Sequence, residues 1–206
     1  MTSVASDASI RNLSGTWVMD KTRSFNVDGV LKLQGVGWIT RRAVSAATAF
    51  LKITQGADAG DEWMIIEPSL SGVMNGGQET RPLTWAEFKH NDALFGLVII
   101  RTHYIAGARV SDHQVRPLVE LQTKNAGSNV ETFLTEAVVI DQGVEYSGET
   151  VAKAFIHDFV RSVNSGWTAE QIWAVETVGD EKFLTRRVVV QKGTSSETAH
   201  VFYKRQ

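Results

Sequence analysis

Gly29–Ala49 reads GVLKLQGVGWITRRAVSAATA, and the fold turns on how this stretch is read. Two short helices broken by a Gly-x-Gly account for its pattern. The first carries Val30, Leu33 and Gln34 on one side, and Gly35 and Gly37 supply the backbone freedom for a tight turn. Beyond Trp38, the residues Ile39, Ala43, Val44, Ala46 and Ala47 recur at helical spacing, with Arg41 and Arg42 toward solvent. Each segment is only about two to three turns long, too short to persist in water without a surface to pack on. The flanking sequence is strand-like, so the pair is expected to lie over the mouth or edge of a sheet or barrel.

Working outward, Thr16–Lys21 alternates before the pair and Phe50–Gln55 alternates after it, while Asp28 is placed to cap the first helix. Glu62–Glu67 returns after a Gly-rich loop, Pro68 ends it, and Asn75-Gly76-Gly77 signals a turn. Leu83–Lys89 and Leu97–Ile105 alternate as strands. Gly107–Asn129 is the least regular region. Glu131–Ile140 reads as a strand, with a hairpin loop at Asp141-Gln142-Gly143 and a partner starting within Val144–Glu149. Thr150–Val163 fits helix and strand alike, and its β-branched and aromatic content favours strand. Glu170–Val178 and Phe183–Lys192 form a hairpin across Gly179-Asp180, and Thr198–Lys204 finishes the chain. The expected fold is all-β, an antiparallel up-and-down barrel of about ten strands with a helix-turn-helix lid, since closure removes exposed sheet edges.

The 206 residues suit one domain, 13–206, behind a flexible polar leader at 1–12. A formal charge of -2 with scattered basic residues speaks against a nucleic-acid partner. No apolar run approaches the roughly 20 residues of a membrane span. The chain has no cysteine, which excludes disulfides and thiolate chemistry, and a cytoplasmic location is the simple expectation. A homodimer is compatible with this reading.

The order Gly15-Thr16-Trp17, then the helix pair through Gly35-Val36-Gly37-Trp38-Ile39-Thr40-Arg41-Arg42, then Leu51-Lys52-Ile53-Thr54, resembles the opening of an intracellular fatty-acid-binding protein. Thr80–Lys89 and Val201-Phe202-Tyr203-Lys204 are similar too. The resemblance implies a calycin-like barrel closed around an apolar ligand, whose carboxylate that family holds with an inward arginine and tyrosine two apart on the final strand. Matching that tyrosine to Tyr203 puts Val201 in the arginine's place, and shifting by one gives His200 and Phe202. Neither choice keeps the pair. The chain also resembles fungal lipocalin-like and fatty-acid-binding-like proteins of secondary metabolism, among them hetero-Diels–Alderases.

No dinucleotide fingerprint, P-loop, Gly-x-Ser-x-Gly or His-Glu-x-x-His occurs, and the five histidines share no short motif, so neither a metal nor a cofactor is expected. The candidates are polar groups set in apolar strand faces. Arg101 and His103 share a face with Ile99 and Ile105, and this face either enters the cavity or packs under a loop. His157 lies between Phe155 and Phe159, either as a proton-transfer group or as a core histidine. Arg186 and Arg187 point to opposite faces, and Arg187 is the candidate substitute for the missing arginine. His157, His103, Arg101 and Arg187 are thus the catalytic candidates, and Trp173, Phe155, Phe159, Tyr146, His200, Phe202, Tyr203 and Trp38 the ligand-binding ones. The lost arginine–tyrosine pair, with the second resemblance, favours a cofactor-free cyclase, a pericyclase joining a quinone methide to a terpene inside the barrel. The alternative is a non-catalytic carrier of a hydrophobic small molecule.

Overall fold

The computed structural model describes residues 8–72, 74–123, 128–140 and 150–206. The first half runs β1 (Gly15–Met19), α1 (Val27–Leu33), α2 (Trp38–Ala46), β2 (Ala49–Asp58), β3 (Asp61–Leu70), β4 (Met74–Asn75), β5 (Glu79–Pro82), β6 (Phe88–Asp92) and β7 (Gly96–Arg109). The second half adds β8 (Gln114–Pro117), α3 (Ser128–Leu134), β9 (Val138–Val139), β10 (Thr150–Ser162), β11 (Trp167–Val178), β12 (Glu181–Lys192) and β13 (Ser195–Arg205).

Among the described residues one antiparallel sheet holds thirteen strands, in the order β4-β3-β2-β1-β13-β12-β11-β10-β7-β8-β9, with β5 on β3 and β6 on β7. This is the expected calycin-like architecture, curled and mostly up-and-down. The additional strands β4, β5, β8 and β9 have four residues or fewer. Closure is not a continuous ladder. The chain instead crosses from one side of the gap to the other over a few residues. Leu83 N–H donates to Glu62 O on β3, Trp85 N–H donates to Thr102 O on β7, and Thr84 bridges His103. Changing partners so abruptly forces Trp85 to a φ of 66°, so the strand expected over Leu83–Lys89 is broken there and resumes as β6. The outer edge of β7 is thereby paired with β6, Thr84 and β8 in succession, which leaves no long unpaired edge on that strand.

Val30, Leu31, Val36 and Val44 turn inward and make the helix pair a cover over one end of the sheet. Asp28 lies inside the first turn of α1 and pairs with Arg41 at 2.9 Å, rather than capping from Asn26's position. That pairing draws Arg41 down and leaves Ile39 76% exposed, the reverse of the expected placement. At the opposite end Ala8, Ile10 and Leu13 are buried beneath the start of β1, where Trp17 Nε1–H donates to Leu13 O at 2.7 Å.

Besides the small cluster under the helices, two larger cores result among the described residues, one on each face of the sheet. The concave core gathers Trp17, Ile53, Met64, Ile100, Trp173 and Leu184 among others. On the convex face the segment from β8 to β9 lies over β10–β12, where Val115, Val130, Leu134 and Val138 meet Phe155, Ile172 and Val189. The strand expected over Glu131–Ile140 is therefore broken up, its first four residues closing α3. Val130, Phe133 and Leu134 fall at helical spacing, and only Val138–Val139 is extended. Thr150–Ser162 is strand, bulged between Val151 and Phe155. The expected loop at Asp141-Gln142-Gly143 and its partner strand lie outside the described residues.

Candidate functional site

Strand β12 sends Leu184, Arg186 and Val188 into the concave side and Thr185, Arg187 and Val189 out of it, as the two cores record. Arg186 thus enters the cavity. Its Nε and Nη2 donate to Gln171 Oε1 on β11, the former at 3.1 Å, and its guanidinium lies 4.3 Å from the Trp173 ring centroid. Among the described residues no carboxylate pairs with it. Arg81, also on the concave side, differs in this respect. Its Nε donates to Glu79 at 2.6 Å and its Nη1 to Asp158 at 2.6 Å, and Thr102 hydroxyl donates to the other Asp158 oxygen at 2.8 Å. Burial alone would lower the Arg81 pKa, but the charges of Asp158 and Glu79 raise it above the ordinary value, so this cation is permanent and already neutralised.

The cavity around Arg186 has two lobes. One, of about 240 Å³, lies under the helix pair among Val30, Val44, Phe50 and Tyr203, and the other, of about 180 Å³, extends among Ile66, Ile100, Trp167 and Trp173. Asp92 Oδ1 accepts from Leu94 N–H at 2.7 Å and Phe95 N–H at 3.0 Å, holding the turn that presents Leu94 and Phe95 to both lobes. A cation in such apolar walls favours an anionic or strongly accepting ligand group, because burying it otherwise leaves its charge uncompensated.

The other residues singled out from the sequence are placed as follows. Trp173 lines one lobe and Tyr203 the other. Trp38 is 66% exposed on the outer surface of α2. Tyr146 lies outside the described residues. His157, Phe155, Phe159, His103 and Arg101 all stand on the convex face, which the sequence reading turned inward or left undecided. Arg187, His200 and Phe202 are convex as well. The cause is the cover of β8–β9. It buries both faces of β10–β12, so an apolar strand face no longer marks the inside.

Beneath that cover the polar groups form networks of their own. His157 Nε2–H donates to Glu170 at 2.7 Å, and its Nδ1 is 3.2 Å from His103 Nε2. Trp85 packs against both rings, tilted on His103 at 4.2 Å and stacked on His157 at 4.6 Å. Glu170 also accepts the backbone N–H groups of Gln122 and Thr123. Burial pushes the Glu170 pKa up, but these hydrogen bonds outweigh it and hold the carboxyl below its usual value. His103 is pushed down to about 4 by burial and by neighbouring His157. Nearby, Arg187 lies 3.5 Å from both Glu176 and Glu136, and Glu176 is likewise 3.5 Å from His200. Arg101 pairs with exposed Glu87 at 2.6 Å. Of these, the Glu170 bonds to Gln122 and Thr123 and the Arg187–Glu136 contact tie the cover to the sheet. Among the described residues no group of three or more acidic, histidine or cysteine side chains is placed to hold a metal ion, and no helix is long and apolar enough to cross a membrane.

No protein-family model matches the sequence, and neither does any curated protein. Solved structures do match in fold. A Schistosoma mansoni fatty acid binding protein in complex with arachidonic acid is 16% identical, with a TM-score of 0.53 over 97% of this chain and 99% of that one. A fatty-acid-binding protein from Drosophila melanogaster brain is 12% identical, with a TM-score of 0.52 over 92% and 95%. The REP1-NXSQ fatty acid transporter is 14% identical, with a TM-score of 0.50 over 94% and 96%. The chain has the fold of these calycin-like barrels. The expected cyclase, with its fungal biosynthetic setting, is thereby corrected. The similar structures are named for fatty-acid binding and transport, and the histidines enlisted for catalysis stand on the far side of the sheet from the cavity. Arg186 is the residue that sequence reasoning passed over. Alternation separated it from Arg187, but choosing between them required knowing that Arg187's face is covered.

Proposed function

We propose that this protein is a carrier that holds a hydrophobic small molecule, one with an anionic head, in the concave cavity. The observation that carries the reading is Arg186, a guanidinium in an apolar chamber, stacked on Trp173 and bonded to a neutral amide, with no carboxylate partner among the described residues. A long-chain acid meets these requirements, since its tail would bury against the apolar walls and its carboxylate would complete the cation's hydrogen bonding. Trp173 and Tyr203 are the proposed wall contacts, one in each lobe. The helix pair would roof the bound tail. The likeness of fold to fatty-acid-binding proteins supports the same reading, and the arachidonic acid of the schistosome protein is an example of such a ligand. A cytoplasmic location for the carrier belongs to the same proposal, as does a single domain, which takes in the buried Ala8 and Ile10 of the expected leader as well as 13–206.

The test compares a long-chain acid with its methyl ester by equilibrium titration. The acid is expected to bind wild type at least about tenfold more tightly, a difference of about 1.4 kcal/mol. Arg186→Met is expected to erase that preference while leaving ester binding in place. An acid that binds the variant and wild type equally would remove Arg186 from the reading.

A further inference from the structure

Arg186 does not sit at an end of the cavity. It and Gln171 line both lobes, as do Gln34, Leu94 and Phe95, so the polar anchor is at the waist between two apolar chambers. In the lobe under the helices Arg186 is the one charged side chain among the described lining residues. In the other lobe Arg81 is neutralised by Glu79 and Asp158, and Asp92 is engaged by two backbone N–H groups. Neither far end offers an unpaired cation.

We infer that the ligand carries its acid group between two apolar arms, as a branched or ring-bearing acid does, rather than at the tip of a single chain. The inference rests on the carrier reading and narrows it. A straight-chain acid anchored on Arg186 must direct its one tail into one lobe and leave the other without contacts, and apolar space left unfilled loses the dispersion its lining atoms would otherwise make. A straight-chain acid threaded through both lobes would move its carboxylate away from Arg186 to an end with no unpaired cation, where a buried carboxylate is strongly disfavoured. An acid branched at the carboxylate-bearing carbon satisfies both demands together. Gln34 adds to the fit. It stands at the same waist, on the connection between α1 and α2, and its side-chain amide has no hydrogen-bond partner among the described residues. It can therefore donate to the second oxygen of a carboxylate held there.

The experiment uses two isomers of equal carbon count: hexadecanoic acid, and the acid bearing its carboxylate at the junction of a hexyl and an octyl arm. Each is titrated against the full chain by displacement of anilinonaphthalene sulfonate. The branched isomer is expected to bind about tenfold more tightly or better. Arg186→Gln is expected to bring the ratio of the two affinities toward unity, and Arg186→Lys, which keeps the charge, to retain part of it. Tighter or equal binding of the straight isomer by wild type would overturn the inference and leave the carrier reading standing. Binding of neither acid would overturn both.

Discussion

Residues Arg186 and Arg187 show what one position means in a strand covered on both sides. They are chemically identical neighbours, and one faces the cavity with a neutral partner while the other is buried against Glu176 and Glu136. At Trp85 the chain places a bulky side chain at φ 66°, and its ring closes over His103 and His157. His103, held neutral there with its pKa at about 4, has a measurable consequence. The unfolded chain takes up a proton on this histidine near pH 6.5 and the folded chain only near 4, so stability is full above about 6.5 and falls as the pH drops toward 4. Urea unfolding at pH 7 and pH 5 is expected to show this loss in wild type. It should be smaller by about 1 kcal/mol in His103→Gln, the half-exposed position having been allowed for. An identical pH dependence in both proteins would show that His103 does not titrate in this way. Strand alternation, legible in the residues themselves, paired His103 with Arg101 and His157 with its phenylalanines correctly. What alternation could not supply was the side on which the cover lies.

The element that hid this is the β8–α3–β9 cover. Glu131–Ile140 reads as a strand and Gly107–Asn129 as irregular, yet Val130, Phe133 and Leu134 keep helical spacing and the helix wins where it can bury them. The cover is fastened by Glu170, whose carboxylate takes N–H groups from Gln122, Thr123 and His157. Glu170→Ala leaves the buried His157 and the half-buried Gln122 and Thr123 N–H groups without their acceptor, and a loss of about 1–3 kcal/mol is expected by denaturant unfolding. Hydrogen exchange at the Gln122 and Thr123 amides should quicken with it. Unchanged exchange there would mean that the cover is held by its apolar contacts alone. Leu134→Ala removes a fully buried side chain from the convex core and should cost about 2–4 kcal/mol. Because the sheet separates that core from the cavity, ligand affinity is expected to stay within about twofold of wild type, while a large loss would show that the two faces are coupled. The helix pair was legible from its glycines and apolar spacing. Its rotation was not, since Asp28 and Arg41 settle it by a pairing distant in sequence.

For the whole molecule, the up-and-down order could be read from the chain because each hairpin is local. The β11–β12 register across Gly179-Asp180, with Val178 opposite Glu181, follows directly from the turn. The gap between β5 and β6, and its bridging by Thr84, depend on hydrogen bonds between residues far apart in the sequence and have no local signal. The site depends on the same long-range facts, because only the assembled sheet distinguishes a cation with a carboxylate from one without. Ligand binding is therefore centred on an acid group at Arg186 in the concave cavity. A crystal structure of the chain with a bound long-chain or branched acid tests this most directly. Carboxylate density is expected within about 3 Å of the Arg186 guanidinium, with the apolar part in the lobes beneath the helix pair and beside Trp173. An acid found under α3 on the convex face, or on the outer surface of the helices with the cavity unchanged, would contradict it.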